Sequence, residues 1–103
     1  MVRAGTQHEE KLKLYRWDVV DHLDSDEAIA GYLDAVLEED DPALLMAALG
    51  DAARAKGMTQ VSRETGLGRE SLYKALSLQG NPEFATVQKV LRSLGLKLRV
   101  SVS

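Results

Sequence analysis

The sequence predicts a single, mainly all-α domain of five helices that ends in a short strand. Apolar residues recur at helical spacing between about residues 24 and 95, and glycine or proline stands where each helix should start or stop. The last residues instead alternate strictly between apolar and polar. The 103 residues are enough for one modest core and too few for two, so residues 11–103 are expected to form one domain.

Composition excludes several classes of protein. Hydrophobic residues make up 45% of the chain and charged residues 28%, which is typical of a folded protein. The absence of cysteine excludes a disulfide framework and a thiolate zinc site. No apolar run is long enough to span a membrane, and the start lacks the pattern of a secretion signal. We therefore expect a soluble, cytoplasmic protein with no membrane role.

The first ten residues are expected to lie outside the fold, and the next ten to form a strand or an arm. Residues 1–10 show no apolar period and are predicted to be a disordered tail. In residues 11–20, Tyr15, Trp17 and Val19 alternate with Leu12 and Leu14, which predicts a short strand or an extended arm.

The first two helices are indicated by capping residues. Asp24 can cap a helix, with Glu27 three residues later as in a capping box, and this helix should end near Asp40. Asp41 followed by Pro42 is a second cap with proline at the first helical position. Gly57, just after two basic residues, should end that second helix.

Three more helices and a strand complete the prediction. Thr59 can cap a short third helix that ends at Gly66, and a fourth runs from Arg69 to about Ser77. Asn81 followed by Pro82 opens the fifth, which ends at Gly95. Residues 96–102 are predicted to be a strand, which needs an edge to pair with. It could pair with residues 11–20 or with its own copy across a two-fold axis.

The small net charge of −3 conceals two halves of opposite sign. Residues 1–51 carry 4 Lys and Arg against 13 Asp and Glu, a net of −9, whereas residues 52–103 carry 9 against 3, a net of +6. A basic half can attract phosphate, and an acidic half can hold a basic protein. Ordinary uneven solvation of the surface is the alternative.

Residues 58–76 match the spacing of a helix-turn-helix. Ser62 is small where a second helix would cross close above it, and four residues later Gly66 can adopt the turn's dihedral angles. Leu67 and Leu72 are apolar where the two helices should pack. A structural helix hairpin without DNA binding has the same pattern.

The exposed side of this hairpin would carry the DNA contacts. Arg69 could bond a guanine edge, Lys74 a phosphate or a guanine, and Glu70 a cytosine amino group. The preceding helix would hold a phosphate at its N-terminus. The candidate DNA-binding residues are Thr59, Gln60, Arg69, Glu70, Ser71, Tyr73 and Lys74.

Catalytic and metal sites have little support in the sequence. His8 and His22 have no ligand partner at a suitable spacing. The acidic run over residues 38–41 lacks the alternation of a calcium loop and is better explained as a solvated helix end. We find no phosphate-binding glycine loop and no Ser/His/Asp set. We therefore expect that the protein is not an enzyme and needs no cofactor or metal.

Three stretches of the chain resemble a known family. They are LDSDEAIAGYLDAVLEEDDPALLMAALGDAARAKGM, TQVSRETGLGRESLYKALS and GNPEFATVQKVLRSLGLKLRV. In order and nearly without gaps, over about residues 11–100, they are similar to the addiction-module antidote proteins, HigA-like antitoxins with a Xre/Cro-type helix-turn-helix. The most specific parts are GRESLYKALS and GNPEFATVQKVL.

This resemblance implies a lambda-repressor-like fold and a homodimeric repressor. Such a protein binds double-stranded operator DNA in its own promoter and neutralises a RelE/ParE-like toxin. Those toxins are small and basic, which would give the acidic segment 18–51 a partner. The implied base-reading positions are Gln60, Arg69, Glu70, Ser71 and Lys74, while Gly68 stands where the family usually has serine. A stand-alone phage-type repressor without a toxin and an interaction module that does not bind DNA remain alternatives.

Overall fold

A computed structural model describes residues 4–19 and 22–102 of the chain. Within these residues the protein consists of α-helices joined by short loops, and no strand is present. The helices are α1 (Ala4–Val19), α2 (Asp26–Leu37), α3 (Pro42–Lys56), α4 (Met58–Thr65), α5 (Arg69–Ala75) and α6 (Phe84–Ser93). The five predicted helices correspond to α2–α6, so the mainly α-helical prediction is confirmed for the described residues.

The caps of α2 and α3 show how the local sequence sets their starts. Asp41 caps α3 as predicted, since its carboxylate accepts the Leu44 N–H at 3.3 Å and Pro42 occupies the first turn. Ser25 rather than Asp24 caps α2, with its hydroxyl oxygen accepting the Ala28 N–H at 3.1 Å. The predicted capping box is wrong because Glu27 is then one position too early to reach back to the cap.

The prediction of an N-terminal strand is wrong, because residues 4–19 form α1. In a strand Leu12 and Leu14 would share a face, yet Leu12 is buried and Leu14 is 68% exposed. Leu12 and Tyr15, three residues apart, instead lie on the side of α1 that packs on the core. The predicted tail over residues 1–10 contains the start of this helix, and its residues 1–3 lie outside the described part, as does residue 20 of the predicted arm.

The prediction of a C-terminal strand is also unmet in the described residues. Residues 96–102 have no regular secondary structure. Leu96 packs against the core and its N–H bonds the Leu91 carbonyl at 2.9 Å. A strand needs a second strand to pair with. Within the chain the candidate was residues 11–20, of which residues 11–19 belong to α1.

The core is aliphatic, as the composition indicates, and α3 lies at its centre. Helix α3 contacts α1, α2, α4 and α5, while α6 packs mainly on α4. The largest fully buried side chains come from α2–α6 and their ends: Tyr32, Leu44, Leu49, Leu72, Leu76, Leu94, Val36, Val61 and Val90. This arrangement presses the buried sides of α4 and α5 against the rest of the protein and leaves their other sides open.

Gly50 of α3 allows the end of α5 to approach the α3 backbone. A Cβ at this buried position would lie 2.3 Å from the Leu76 carbonyl oxygen. We therefore expect Gly50→Ala to lower the free energy of unfolding by about 1–3 kcal/mol, because either helix must shift. Gly31→Ala is the matched control: Gly31 lies within α2 with nothing within 4 Å of the added carbon, so a gain of about 0.5–1 kcal/mol is expected. Urea unfolding of both variants tests the pair, and equal stabilities would contradict this packing.

Candidate nucleic-acid interface

The turn between α4 and α5 is fixed by short-range hydrogen bonds. Gly66 has φ 76°, in the left-handed region that favours glycine, and its N–H bonds the Ser62 carbonyl at 2.9 Å. The buried Thr65 hydroxyl donates to the Val61 carbonyl at 2.8 Å and accepts the Leu67 N–H at 3.3 Å. The Ser62 hydroxyl in turn donates to the Leu67 carbonyl. The small residue predicted at position 62 therefore also ties the helix to its turn.

Apolar packing holds α5 on α4 with a defined exposed side. Val61 and Leu72 are fully buried, and Leu67 packs partly buried against the core, as the spacing predicts. Helix α5 is only seven residues long, too short to be stable alone. Its position therefore depends on these contacts and on the close approach to Gly50.

All seven predicted DNA-binding side chains are exposed in this structure. Arg69, at the start of α5, donates from Nη1 to the Thr59 hydroxyl oxygen at 3.4 Å, which brings together the N-terminal ends of α4 and α5. Gln60 donates from Nε2 to Glu64 at 3.3 Å along the outer side of α4. Arg69, Thr59 and Gln60 thus share one end of the α4–α5 pair.

The start of α4 differs from the prediction in its cap. Gly57, not Thr59, occupies the cap position, and no side chain caps this end. The first helical hydrogen bond runs from the Val61 N–H to the Gly57 carbonyl at 3.1 Å. The N–H groups of Met58, Thr59 and Gln60 therefore have no helical carbonyl partner. Such free N–H groups at the start of a helix can bind an anion.

A groove beside α5 adds residues that the sequence analysis missed. It lies between Ser71 and Lys74 on one side and residues 79–82 on the other. Gly80 permits this shape, since a Cβ there would lie 1.8 Å from the Ala75 carbonyl oxygen. Asn81 was predicted to cap the last helix, but α6 begins at Phe84 with Glu83 as its cap. The exposed Asn81 is thus a further polar group beside Lys74.

Arg54 of α3 is a second missed residue. Its guanidinium carbon lies 5.3 Å from the centre of the Tyr73 ring, within the range of a cation–π interaction. Tyr73 remains 43% exposed beneath this contact. Residues 54 and 73 are too far apart in sequence for a local pattern to reveal the pair. Arg54 adds a cation to the exposed surface of α5.

Behind Arg54, the buried carboxylate of Asp51 joins three helices. Its oxygens accept two bonds from Arg16 of α1, from Nε and Nη2 at 3.0 Å each, and one from Arg54 at 3.3 Å. The hydroxyl of Tyr32 on α2 donates to the same carboxylate at 2.9 Å. Burial, reinforced by the charge of Asp51, raises the pKa of Tyr32 well above its usual value. Tyr32 therefore stays a neutral donor.

The acidic run over residues 38–41 lies against α1. Lys11 pairs with Glu39 at 2.9 Å, the Tyr15 hydroxyl donates to Glu39 at 2.8 Å, and His8 contacts Asp41. Hydrogen bonds from Lys11 and then Tyr15 lower the pKa of Glu39. Glu39 and Asp41 of the predicted solvated helix end therefore contact α1, whereas Glu38 and Asp40 are exposed.

An apolar groove opens where α2 meets α3. Its lining combines apolar residues, of which Leu37 is 47% exposed, with two acids: Val36, Leu37, Pro42 and Leu45, and Asp40 and Asp41. Among the described residues no group of three or more potential metal ligands is present. Nor does any helix in that part of the chain have both the length and the apolarity to cross a membrane.

Comparisons with known proteins give one family. A family model described as "Probable addiction module antidote protein" matches residues 13–102. A Haemophilus influenzae protein described as uncharacterized is 50% identical over 91 residues, which cover 88% of this chain and 94% of that protein. No solved structure gives a significant match.

Proposed function

We propose a function on the premise that this chain belongs to the family of probable addiction-module antidote proteins. The chain is the antitoxin of a type II toxin–antitoxin module, similar to HigA. It acts in the cytoplasm, by binding alone and without catalysis. As a homodimer it represses its own operon, and it neutralises a RelE/ParE-like toxin through a separate surface.

The observation that carries DNA binding is the shared exposed surface of α4 and α5. Their buried sides hold the pair rigidly, while Arg69 and Lys74 lie exposed on α5 and Arg54 lies beside it. A lambda-repressor-like helix-turn-helix uses such a surface, with the second helix entering the major groove. The +6 charge of residues 52–103 supports attraction to phosphate.

Each side chain then has a role set by its place on that surface. Arg69, at the N-terminal end of α5, bonds a guanine edge with two hydrogen bonds. Lys74 contacts the phosphate backbone, and Glu70 and Ser71 lie between these two positions in the sequence. The free N–H groups at the start of α4, with Thr59 and Gln60, hold a second phosphate.

The toxin-binding surface is the groove between α2 and α3. Leu37 offers exposed apolar area there, and the exposed Asp40 adds negative charge to the lining. A basic toxin would complement this acidic half without competing for the α4–α5 surface. Simultaneous binding of toxin and DNA is therefore compatible with the fold.

Co-expression with the product of the adjacent reading frame tests this function. The wild-type chain is expected to restore growth in cells that express the toxin and to repress a reporter driven by its own promoter. Arg69→Ala should lose repression and keep the growth rescue, whereas Leu37→Asp should do the reverse.

The outcomes separate the alternatives. Repression without rescue or toxin binding would identify a stand-alone repressor. Rescue without any binding to the promoter would contradict the DNA-binding part of the proposal. Loss of both activities in both variants would contradict the division into two surfaces.

A further inference from the structure

The C-terminal segment exposes apolar side chains that the described structure leaves uncovered. Leu96 packs partly against the core, but Leu98 is 48% exposed, Val100 99% and Val102 100%. No backbone hydrogen bond of residues 97–102 is formed within the described part of the chain. An alternating segment with free backbone groups is suited to pairing with another strand.

The structure narrows the choice of that strand. Residues 11–19 of the intramolecular candidate belong to α1 and are therefore not extended. We propose that residues 97–102 pair with the same segment of a second copy, as an antiparallel two-stranded ribbon whose two-fold axis passes through Val100. This inference names the contact of the proposed homodimer and rests on that part of the proposed function.

The position of the axis follows from side-chain charges. Residues that face each other in an antiparallel pair lie on the same face of the ribbon, and facing like charges are destabilising. An axis at Leu98 would set Lys97 against Arg99 of the partner subunit. An axis at Arg99 would set that guanidinium against its own copy. Both registers are disfavoured.

An axis at Val100 removes these conflicts. Arg99 then faces Ser101 of the partner subunit, and Leu98 faces Val102 of the partner subunit. Val100 faces its own copy, so one face of the ribbon is wholly apolar. An axis at Ser101 also keeps cations from facing each other. It leaves Leu98 without an apolar residue of the alternating segment opposite it. Of the two registers that avoid facing cations, only the Val100 register matches every apolar residue from 98 to 102 with an apolar residue.

A second copy also suits the apolar face better than an unrelated strand does. The face begins at Leu96, on the core, and continues through Leu98, which lies beside Gln88, Leu91 and Arg92. Two copies related by the axis place both Val100 side chains next to each other on one continuous apolar face. The cations Lys97 and Arg99 remain on the opposite, solvent-facing side.

Cysteine cross-linking tests this register directly, because the natural chain has no cysteine. Facing residues in an antiparallel pair have Cα atoms about 4.5–5.5 Å apart, within the range of a disulfide. Val100→Cys in the full-length protein is expected to form a covalent dimer under mild oxidation. Arg99→Cys and Ser101→Cys are the matched controls and should cross-link weakly, since their copies are diagonal neighbours about 7–8 Å apart.

A charge variant checks the same contact without oxidation. Val100→Asp places two carboxylates on the axis and is expected to reduce the mass in light scattering from two chains to one. Arg99→Asp faces a serine and should stay dimeric. Val100 is almost fully exposed in one copy, so neither change should disturb the helices, as circular dichroism can verify.

Each outcome bears on the inference. The Val100 register would be overturned if Arg99→Cys or Ser101→Cys cross-linked more strongly than Val100→Cys. If Val100→Asp remained dimeric, the ribbon would not be the dimer contact. A monomeric wild-type protein would overturn both the ribbon and the proposed homodimer. The same holds if the monomer's C-terminal segment pairs only with a strand of the toxin. Promoter binding by a dimer that fails the cross-linking test would leave the proposed function in place and remove this inference alone.

Discussion

Asp51→Ala is expected to lower the free energy of unfolding by about 3 kcal/mol. Asp51 is 7% exposed, and its carboxylate accepts hydrogen bonds from Arg16, Arg54 and Tyr32. Its removal leaves the buried Tyr32 hydroxyl without an acceptor, which costs about 1–3 kcal/mol. The two arginines are about half exposed and can regain water, so their loss adds less than a buried pair would.

Two further variants make the result specific to this carboxylate. Asp51→Asn keeps an acceptor oxygen for Tyr32 and should lose clearly less stability than the alanine variant. Asp34→Ala removes an exposed acid of α2 and should change stability by no more than about 0.5 kcal/mol. Urea unfolding measures all three. If Asp51→Ala were as stable as Asp34→Ala, the junction of α1, α2 and α3 at Asp51 would have no energetic role.

Arg69→Ala is expected to weaken operator binding by about 10- to 100-fold, or about 1–3 kcal/mol, and to relax the preference at one base pair. A guanidinium that bonds one guanine edge loses its discrimination along with its affinity. Lys74→Ala should instead weaken binding to all sequences and reduce the slope of log affinity against log salt by about 1. Titrations against duplexes that vary at single positions distinguish the two effects.

The matched control is Lys13→Ala, which removes an exposed cation from α1 in the acidic half. Its net charge equals that of Lys74→Ala, so general attraction to DNA changes equally in both variants. Lys74→Ala should bind DNA more weakly than Lys13→Ala only if Lys74 contacts the DNA directly. Equal affinities for the two variants would argue against a contact at Lys74, and an unchanged sequence preference in Arg69→Ala would remove its assigned role.

Local signals allowed the α4–α5 pair to be predicted well from the sequence. Gly66 ends α4 and Arg69 begins α5, as expected, because glycine dihedrals and short-range apolar spacing set these boundaries. The exposed side chains of α5 were predicted correctly as well, because the buried Leu72 fixes which side of the helix faces solvent. The predicted caps of α2, α4 and α6 were wrong, because neighbouring residues offered competing starts.

The features that the sequence analysis missed depend on long-range contacts. The alternation in residues 11–20 indicated a strand, yet residues 11–19 are helical. From this helix Tyr15 bonds Ala35 of α2 and Glu39 after it, and Arg16 bonds Asp51 of α3. Arg54 approaches Tyr73 through the packing of α3 against α5, and Asn81 lies beside Lys74 because Gly80 folds the loop against Ala75. None of these pairs has a fixed spacing in the sequence.

One titration tests the central proposal, that the α4–α5 surface binds operator DNA, most directly. Fluorescence anisotropy would compare a duplex from the chain's own promoter with a scrambled duplex between about 50 and 200 mM salt. We expect tighter binding to the promoter, affinity that falls linearly with log salt, and loss of both in the Arg69→Ala/Lys74→Ala double variant. Equal binding to both duplexes, or an unchanged affinity in the double variant, would contradict the proposal.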